Sequence, residues 1–452
     1  MNSQPDYIKD TIVAAATPPG KGGIGIVRLS GPDAEIIATK MLGAVPVPRL
    51  ATNTDFLDAE GAAIDSGIAL WFPEPRSFTG ESVLELHGHG GPAVIALVVD
   101  AALSLGARRA EPGEFSKRAY LNGKLDLVQA EAIADLIDSG TAQAARAAHR
   151  SLSGTFSDAV STLSEQLIRL RLHVEAAIDF PEEEIDFLSD DAMKRQIEAC
   201  QDAFDQLQTN AEAGRLLRDG LQVVIVGKPN AGKSSLLNLL SGQDAAIVTE
   251  VAGTTRDILR EQIDIDGLAV ELIDTAGLRH DPDAIEAEGI RRAKLVLKNA
   301  DAVIWIQDAT DTRTDSASPD EAVPDGVPLI VLRNKIDLCD EPSGRVQQDP
   351  PILNVSAKTG AGTRELRQTI RSIAGYTDLG EGAFTARKRQ VDALQDAAGH
   401  FQSGRKALEE SKAGELLAEE LRLAQESLAT ITGEFSSDDL LGRIFSEFCI
   451  GK

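Results

Sequence analysis

Four short motifs in the middle of this chain carry groups that could bind different parts of one nucleotide. Residues 227–234 read Gly-Lys-Pro-Asn-Ala-Gly-Lys-Ser, a loop whose backbone N–H groups can surround phosphates. Within this loop Lys233 can neutralise the phosphate oxygens, and Ser234 can offer its hydroxyl to Mg²⁺. Three further motifs follow in order: Asp-Thr-Ala-Gly at 274–277, Asn-Lys-Ile-Asp at 334–337 and Ser-Ala-Lys at 356–358.

The later motifs indicate a guanine nucleotide. Asp274 can hold the water shell of the metal, and the N–H group of Gly277 can sense the γ-phosphate. The carboxylate of Asp337 can pair with the N1–H and the 2-amino group of guanine, which adenine cannot match. The sequence therefore predicts a GTP-binding domain. The residues predicted to contact GTP are Asn230, Ala231, Gly232, Lys233, Ser234, Ser235, Thr249, Thr254, Thr255, Asp274, Gly277, Asn334, Lys335, Asp337, Ser356, Ala357 and Lys358.

The residue after the second motif bears on hydrolysis. Many GTPases carry a glutamine there to orient the attacking water, but this chain has Leu278, whose side chain makes no hydrogen bond. Another group must place that water. Four nearby carboxylates are candidates, and each of them could instead be a solvated acid at the start of a helix: Asp281, Asp283, Glu286 and Glu288.

The segment between the first two motifs suits a switch loop. Thr254 and Thr255 follow a glycine, so the loop could close over the γ-phosphate with one hydroxyl on Mg²⁺. Asn230 adds a neutral oxygen near the phosphates. Together with backbone carbonyls from residues 249–254, that oxygen could hold a monovalent cation where other GTPases insert an arginine.

Short apolar runs predict the elements that position these motifs. Residues 221–226, 269–273, 302–306 and 329–332 are rich in β-branched side chains, which is typical of buried parallel strands. Each run ends just before a motif or a polar loop, where ligands bind in open α/β sheets. Residues 235–240 predict the helix whose N-terminus faces the phosphates.

The 452 residues suffice for about three domains. Gly, Pro and β-branched residues predict an α+β domain over residues 1–123. Helical periodicity dominates 124–219 and returns over 379–452, on either side of the GTPase segment 220–378. The predicted fold class is therefore α/β, with a P-loop GTPase domain inserted in an all-α helical domain. One predicted buried face of that helical domain consists of Leu163, Leu167, Leu170 and Val174.

Composition excludes several classes of protein. The formal net charge of −26 argues against a broad grip on nucleic-acid phosphates by this chain itself. No apolar run approaches the length of a membrane span, and the acidic N-terminus is not a targeting peptide. Cys200, Cys339 and Cys449 lie far apart and form no metal pair or disulfide framework. We expect a cytoplasmic protein without a membrane partner.

Four other tracts point to one family. They are Thr11–Arg28, Glu81–Pro92, Glu111–Asp126 and the terminal Cys-Ile-Gly-Lys of residues 449–452. With the GTP motifs, these tracts make the whole chain resemble the MnmE (TrmE) family of tRNA-modification GTPases. The resemblance implies a homodimer that works with an FAD-dependent partner enzyme, MnmG, in a heterotetramer or larger complex. Together they would install a carboxymethylaminomethyl or aminomethyl group at C5 of the wobble uridine in tRNA.

The resemblance also implies roles at the GTP site. Asn230 and the backbone around Thr249, Val251 and Thr254 would coordinate K⁺, and paired GTPase domains would enclose that cation. Ser234 and Thr255 would bind Mg²⁺. Glu286 would position the attacking water through a second water, and Lys233 would stabilise the phosphate charge.

A second site is implied in the N-terminal domain, which in this family resembles tetrahydrofolate-binding folds and forms the dimer. Arg28, Glu85 and Lys124 match the positions that contact folate, and the terminal Lys452 would reach in. The one-carbon donor would be 5,10-methylenetetrahydrofolate or 5-formyltetrahydrofolate. Cys449 could act there as a nucleophile or one-carbon relay, or it could pack as a small apolar side chain beside two phenylalanines.

Some alternatives stay open at this stage. His87 and His89 lie two positions apart and would share one face of a strand, so they could bind a metal as a pair. Alternatively, the glycines around them could mark a strand whose backbone packs closely against its neighbours. The phosphate loop and Leu278 are also similar to those of GTPase switches in ribosome assembly, although that class usually appends a basic domain. A third possibility is that the N-terminal and helical regions form a dimerisation scaffold without a folate site.

Overall fold

The computed structural model describes most of the chain. The described residues are 10–179, 191–228, 230–243, 259–274, 297, 300–311, 323–324, 326–339, 341–373, 382–434, 438–446 and 448–451. They form two compact units. Unit 1 contains Met1–Ala134, Leu152–Ile197 and Asp396–Lys452, and unit 2 contains Asp135–Ser151 and Glu198–Gln395. The division into three domains at 123, 219 and 378 stays a prediction.

Both units contain strands and helices. The strands are β1 (Ile12–Ala15), β2 (Gly22–Ser30), β3 (Thr52–Leu57), β4 (Ala63–Phe72), β5 (Val83–Gly90), β6 (Arg108–Arg109), β7 (Leu221–Gly227), β8 (Leu259–Ile265), β9 (Leu268–Asp274), β10 (Ala302–Asp308), β11 (Leu329–Asn334), β12 (Gly344–Gln348) and β13 (Pro351–Asn354). The helices are α1 (Ala34–Leu42), α2 (Pro92–Ser104), α3 (Glu114–Leu121), α4 (Leu127–Asp138), α5 (Ala142–Leu152), α6 (Thr155–Asp179), α7 (Asp191–Asp219), α8 (Lys233–Gln243), α9 (Thr363–Ile373), α10 (Lys388–Ser411), α11 (Gly414–Thr432) and α12 (Asp438–Ser446). None of the helices in the described ranges combines the length and the apolar character that a bilayer crossing requires.

The sheet of unit 1 has the order β3-β4-β5-β2-β1-β6. Its neighbours are antiparallel except β1 and β6, which run parallel. Leu84 and Leu86 of β5 face a core that α1 and α2 complete with side chains such as Met41 and Val98. Because successive residues of a strand face opposite ways, Glu85 and His87 lie on the other face of the sheet.

The helical part of unit 1 follows the predicted pattern. Leu163, Leu167, Leu170 and Val174 of α6 are all buried, which confirms the predicted apolar face. Helix α6 packs against α11, and α12 packs against α3. Apolar side chains at a helical spacing thus hold this region together without a sheet.

A buried arginine ties the start of the described chain to unit 1. Arg118 is 2% exposed, and its guanidinium lies 2.6 Å from Asp10, 2.9 Å from Glu114 and 3.1 Å from Glu81. Hydrogen bonds from Arg108 lower the pKa of Asp10. Burial raises the pKa of Glu114, but hydrogen bonds from Arg108 and other groups outweigh that effect and leave the pKa lowered. Asp10 and Glu114 are therefore charged at neutral pH.

Unit 2 contains a seven-stranded sheet of order β12-β13-β11-β10-β7-β9-β8. The five central strands are parallel, while β8 and β12 pair antiparallel at the two edges. All four predicted strands and the predicted helix are confirmed, and each is longer than its apolar run by one to five residues. The carboxyl ends of β7, β10, β11 and β13 meet at one edge, which is where the polar motifs emerge.

Candidate functional site: a guanine-nucleotide cavity

The glycine loop between β7 and α8 is shaped by its backbone. Gly232 has a φ of 99° and Asn230 a φ of 64°, values that glycine and asparagine adopt most readily. Lys233 is 8% exposed, and its Nζ donates to the carbonyl oxygens of Gly227 at 2.8 Å and Lys228 at 3.1 Å. The loop therefore curls around its own ammonium group at a helix N-terminus, which is an arrangement that binds phosphate.

Asn334 connects the glycine loop to the two base-reading motifs. Its side chain is 2% exposed at the end of β11. Nδ2 donates to the carbonyl oxygen of Ala231 at 2.9 Å, and Oδ1 accepts from the N–H of Ala357 at 2.9 Å. One buried amide thus sets the spacing between the phosphate end and the base end of the site.

Asp337 is held in place by the Ser-Ala-Lys motif. The hydroxyl of Ser356 donates to Oδ1 of Asp337 at 2.6 Å and accepts from the N–H of Thr359 at 3.2 Å. Ser356 is buried, whereas the residue Asp337 is exposed and lines the cavity. The hydrogen bond from Ser356 therefore fixes the orientation of the Asp337 carboxylate, which suits recognition of guanine.

Lys335 is the third fixed group at the base end. Its φ is 69°, and its Nζ lies 2.6 Å from Oδ2 of Asp308 at the end of β10. The backbone and hydroxyl of Thr310 donate to Oδ1 of the same carboxylate at 3.0 and 2.7 Å. Burial raises the pKa of Asp308, but the hydrogen bonds from Lys335 and Thr310 outweigh it and leave the pKa lowered. The ion pair holds the aliphatic stem of Lys335 against the site.

These groups enclose a cavity of about 530 Å³. It is lined by Gly232, Ser235, Asn238, Leu239, Asn334, Lys335, Asp337, Leu338, Ala357 and Lys358. The cavity is large enough for a small organic ligand. Its lining combines the apolar side chains of Leu239 and Leu338 with the polar groups of two motifs, as a site for a planar base requires.

A second group of predicted residues lies in unit 1. Nε of Arg28 donates to Oε1 of Glu85 at 2.8 Å, because β2 and β5 place these residues opposite each other. The guanidinium of Arg28 also lies 5.6 Å from the ring centre of Phe78 and 5.8 Å from that of Phe115. Nζ of Lys124 donates to the carbonyl oxygen of Pro75 at 3.2 Å, in the loop that carries Phe78.

The two histidines have separate acidic partners. Nε2 of His87 lies 3.2 Å from Glu85, and Nδ1 of His89 lies 2.7 Å from Asp65. In the part of the chain that the structure describes, no three metal-binding side chains cluster. The glycines beside the histidines are tightly packed: a Cβ on Gly90 would lie 2.7 Å from backbone oxygens of β2. Close backbone packing therefore accounts for this glycine-rich strand.

The C-terminal segment runs along unit 1. The N–H of Gly113 donates to the carbonyl oxygen of Cys449 at 3.4 Å, and Ile450 forms a bridge with Pro112. Cys449 is exposed and lies outside the buried cluster that contains Phe445 and Phe448. Of the two interpretations of Cys449, packing beside the phenylalanines lacks support, and the chemical role stays a prediction.

Comparison with known proteins decides the family. A family model described as the MnmE helical domain matches residues 127–449, and one described as the GTP-binding protein TrmE N-terminus matches residues 11–124. A tRNA modification GTPase MnmE from Methylococcus capsulatus is 55% identical over 98% of this chain and 99% of that protein. The chain belongs to the MnmE (TrmE) family. Another MnmE, from Proteus mirabilis, is 53% identical over 98% of this chain and 99% of that protein.

Membership of the MnmE family confirms the predicted fold class, in which a TrmE N-terminal domain, a helical domain and a P-loop GTPase domain share one chain. Among solved structures, the G domain of the T. maritima FeoB iron transporter is 25% identical and covers 34% of this chain and 98% of that one. Its TM-score of 0.25 is low, so this likeness carries no part of the assignment.

The structure brings together most of the residues that the sequence predicts to contact GTP. Asn230, Ala231, Lys233 and Ser234 lie on the loop and helix start beside the cavity, and Asp274 ends β9 next to β7. The side chain of Asp274 lies outside the described atoms. So do seven predicted site residues: Thr249, Val251, Thr254, Thr255, Gly277, Glu286 and Lys452. Sequence reasoning missed Asp308, although a polar residue ending an apolar strand run beside the motifs was a usable signal.

Proposed function

We propose that this chain hydrolyses GTP as part of tRNA modification in the cytoplasm. Membership of the MnmE family carries this proposal, since the curated relatives that span the whole chain are tRNA modification GTPases. The cavity supports it, because Asn334 and Asp337 are already orientated for a guanine nucleotide. A carboxylate that pairs with guanine discriminates strongly against bases that lack its donors.

The loop residues fit the phosphate end of GTP. Lys233 would exchange the carbonyl oxygens of Gly227 and Lys228 for phosphate oxygens. Its ammonium group would then lie beside the negative charge that develops on the phosphates during hydrolysis. Ser234 stands exposed in the first turn of α8, where its hydroxyl suits Mg²⁺ together with Thr255. Bound Mg²⁺ would supply charge neutralisation at the phosphates. Glu286 would position the attacking water.

The cation assignment depends on the geometry of the loop. The left-handed backbone of Asn230 exposes its side chain beside the phosphate loop. A neutral amide oxygen, joined by carbonyls around Thr249, Val251 and Thr254, suits K⁺ better than the smaller Na⁺. We expect faster GTP turnover in K⁺ than in Na⁺, and equal rates in the two salts would rule out this site.

The proposed modification of the wobble uridine depends on residues of unit 1. Arg28 and Glu85, flanked by Phe78 and Phe115, offer a charge pair and two aromatic rings to a flat heterocycle. Such a surface suits a reduced folate, with Lys124, Lys452 and Cys449 as further contacts. A homodimer would then work with the FAD-dependent enzyme MnmG to build the carboxymethylaminomethyl or aminomethyl group of the wobble uridine. The one-carbon unit would come from 5,10-methylenetetrahydrofolate or 5-formyltetrahydrofolate.

Mass spectrometry of tRNA nucleosides tests the proposal directly. Cells lacking this chain should lose the 5-substituted wobble uridine, wild type should restore it, and Lys233→Ala should not. Asp266→Asn makes a matched control, because Asp266 lies on the β8–β9 turn, where its carboxylate pairs with arginines of α9. Unchanged nucleosides would overturn the proposal, and ribosome profiles would then test the alternative of a ribosome-assembly switch.

A folate titration separates the enzyme from a dimerisation scaffold. The full chain should bind a reduced folate, and Arg28→Ala should weaken that binding because it removes one half of the pair with Glu85. Equal affinity in the two proteins, or no binding by either, would contradict the folate site.

A further inference from the structure

Glu341 bridges two residues that precede the two motifs that read the base, Arg333 before the motif at 334–337 and Asn354 before the motif at 356–358. Its carboxylate takes two hydrogen bonds from Arg333, with Nη1 2.6 Å from Oε2 and Nη2 2.8 Å from Oε1. Arg333 immediately precedes Asn334 at the end of β11. This bidentate pair fixes the orientation of the carboxylate relative to the guanidinium as well as the distance between them, so it constrains the segment that carries Glu341.

The same carboxylate also holds the other strand. Nδ2 of Asn354 donates to Oε2 of Glu341 at 3.0 Å and to the carbonyl oxygen of Pro342 at 3.0 Å. Asn354 is 2% exposed and ends β13, two residues before Ser356. In the parallel pairing of β11 and β13, Arg333 and Asn354 stand opposite each other. Glu341 therefore bridges the ends of two adjacent strands.

This bridge closes the loop that carries Asp337. Backbone bonds hold the outgoing side of the loop, from Ile336 to the carbonyl of Val355 at 3.3 Å and from Leu338 to the carbonyl of Lys335 at 3.0 Å. After Asp337, the loop is held to the strands at Glu341 and Pro342. Glu341 accepts hydrogen bonds from Arg333 and Asn354, and the carbonyl oxygen of Pro342 accepts one from Asn354. The loop is thus pinned at both ends, with Asp337 between them.

We infer that Glu341 is a positioning residue that sets guanine affinity and base selectivity by holding the Asp337 loop against the Ser356 segment. The inference rests on the proposed GTP site. Glu341 does not line the cavity, so it acts through the loop and not by contact with the base. Loosening the loop would let the Asp337 carboxylate move away from its pairing position with the base.

Comparison of GTP with ITP exposes this role. Hypoxanthine keeps the N1–H of guanine but lacks the 2-amino group, so Asp337 can make only one of its two base hydrogen bonds with ITP. Displacement of the Asp337 carboxylate therefore weakens the binding of GTP more than the binding of ITP. A fold that was merely destabilised would instead lower the fraction of active protein equally for both nucleotides.

The experiment measures kcat and KM for both nucleotides with the full-length protein. In Glu341→Gln, we expect KM for GTP to rise about five- to tenfold and kcat to fall by a smaller factor, since two charge-assisted bonds at a partly exposed site weaken. The GTP-over-ITP ratio of kcat/KM should fall about threefold or more. Arg333→Gln breaks the same bridge from the other side and should give the same pattern, which keeps the test valid if one variant folds poorly.

Asp266→Asn is the matched control. This acid also pairs with two arginines of unit 2, Arg367 at 3.8 Å and Arg371 at 3.4 Å, and its φ of 52° is one that asparagine tolerates. It should leave both KM values and the nucleotide ratio unchanged. An unchanged GTP-over-ITP ratio in both bridge variants would overturn the inference alone. A wild-type protein with no preference for GTP would overturn the proposed GTP site together with it.

Discussion

Replacing Gly232 with alanine tests whether the phosphate loop, residues 227–234, and the Ser-Ala-Lys motif, residues 356–358, depend on one contact through Asn334. A Cβ built on Gly232 would overlap Nδ2 of Asn334, the atom that donates to Ala231. Asn334 is buried in the packed end of β11, so its amide cannot swing aside without losing a partner. The substitution should therefore damage both ends of the site at once.

The magnitude follows from two costs. The φ of 99° at Gly232 lies in the region that alanine disfavours, which costs about 1–2 kcal/mol. Displacing the amide leaves a buried group without its hydrogen bond, which costs about 1–3 kcal/mol more. The sum of about 2–5 kcal/mol corresponds to a loss of GTP affinity of roughly 30-fold or more if it falls on the nucleotide-bound state.

Titration with a fluorescent GTP analogue measures this loss, and a thermal melt shows whether the protein still folds. Gly242→Ala supplies the control in α8, the helix that follows Gly232, because a Cβ at Gly242 meets nothing within 4 Å. It should bind GTP normally and melt slightly higher, since alanine favours a helix over glycine. A Gly232→Ala protein that binds GTP within about threefold of wild type would refute the proposed coupling.

Three further changes test other parts of the structure. Asp308→Asn removes the partner of Lys335, so the Kd for GTP should rise about fivefold in a nucleotide titration, a modest effect because the pair is partly exposed. Cys200 is buried and burial raises its pKa to about 11, so a thiol reagent at pH 8 should label the exposed Cys449 in native protein and reach Cys200 only after unfolding. Arg118→Met removes one ion-pair partner from each of three carboxylates and should lower the free energy of unfolding at pH 7 by about 3–5 kcal/mol in denaturant titrations. That deficit should shrink in acid, because Arg118, together with Arg108, lowers the pKa values of Asp10 and Glu114. The part that Arg118 contributes to this stabilisation is present above the unfolded pKa of each acid and is lost as the pH falls.

The elements around the GTP site could be predicted because their signals are local. The run at 221–226 is apolar on both faces, as a central parallel strand must be, and the structure places it between β9 and β10. Gly232 and the residues 334–337 belong to motifs in which residue types at fixed spacing match the phosphates and the base of a nucleotide. The ends of the elements are harder to predict from the sequence. Strand β10 continues to Asp308, a polar residue that lies beyond the apolar run and forms the ion pair with Lys335.

The groups that hold the site could not be predicted because their partners are distant in sequence. Asn354 and Glu341 lie 13 positions apart and meet only after β13 has joined the sheet beside β11. Arg118 meets Asp10 across 108 positions, and nothing in either local pattern marks a buried charge there. Periodicity describes how an element faces its core, whereas such pairings depend on which elements become neighbours.

The position of Asn334 leads to a consequence for catalysis. Its amide bonds to Ala231 on the phosphate loop and to Ala357 in the Ser-Ala-Lys motif, so neither segment can shift without straining the other. A nucleotide whose base fits poorly would then be held less firmly at its phosphates as well. Because hydrolysis depends on exact placement of the γ-phosphate, a base mismatch should lower kcat in addition to raising KM. Guanine recognition would in this way act on the reaction and not only on binding.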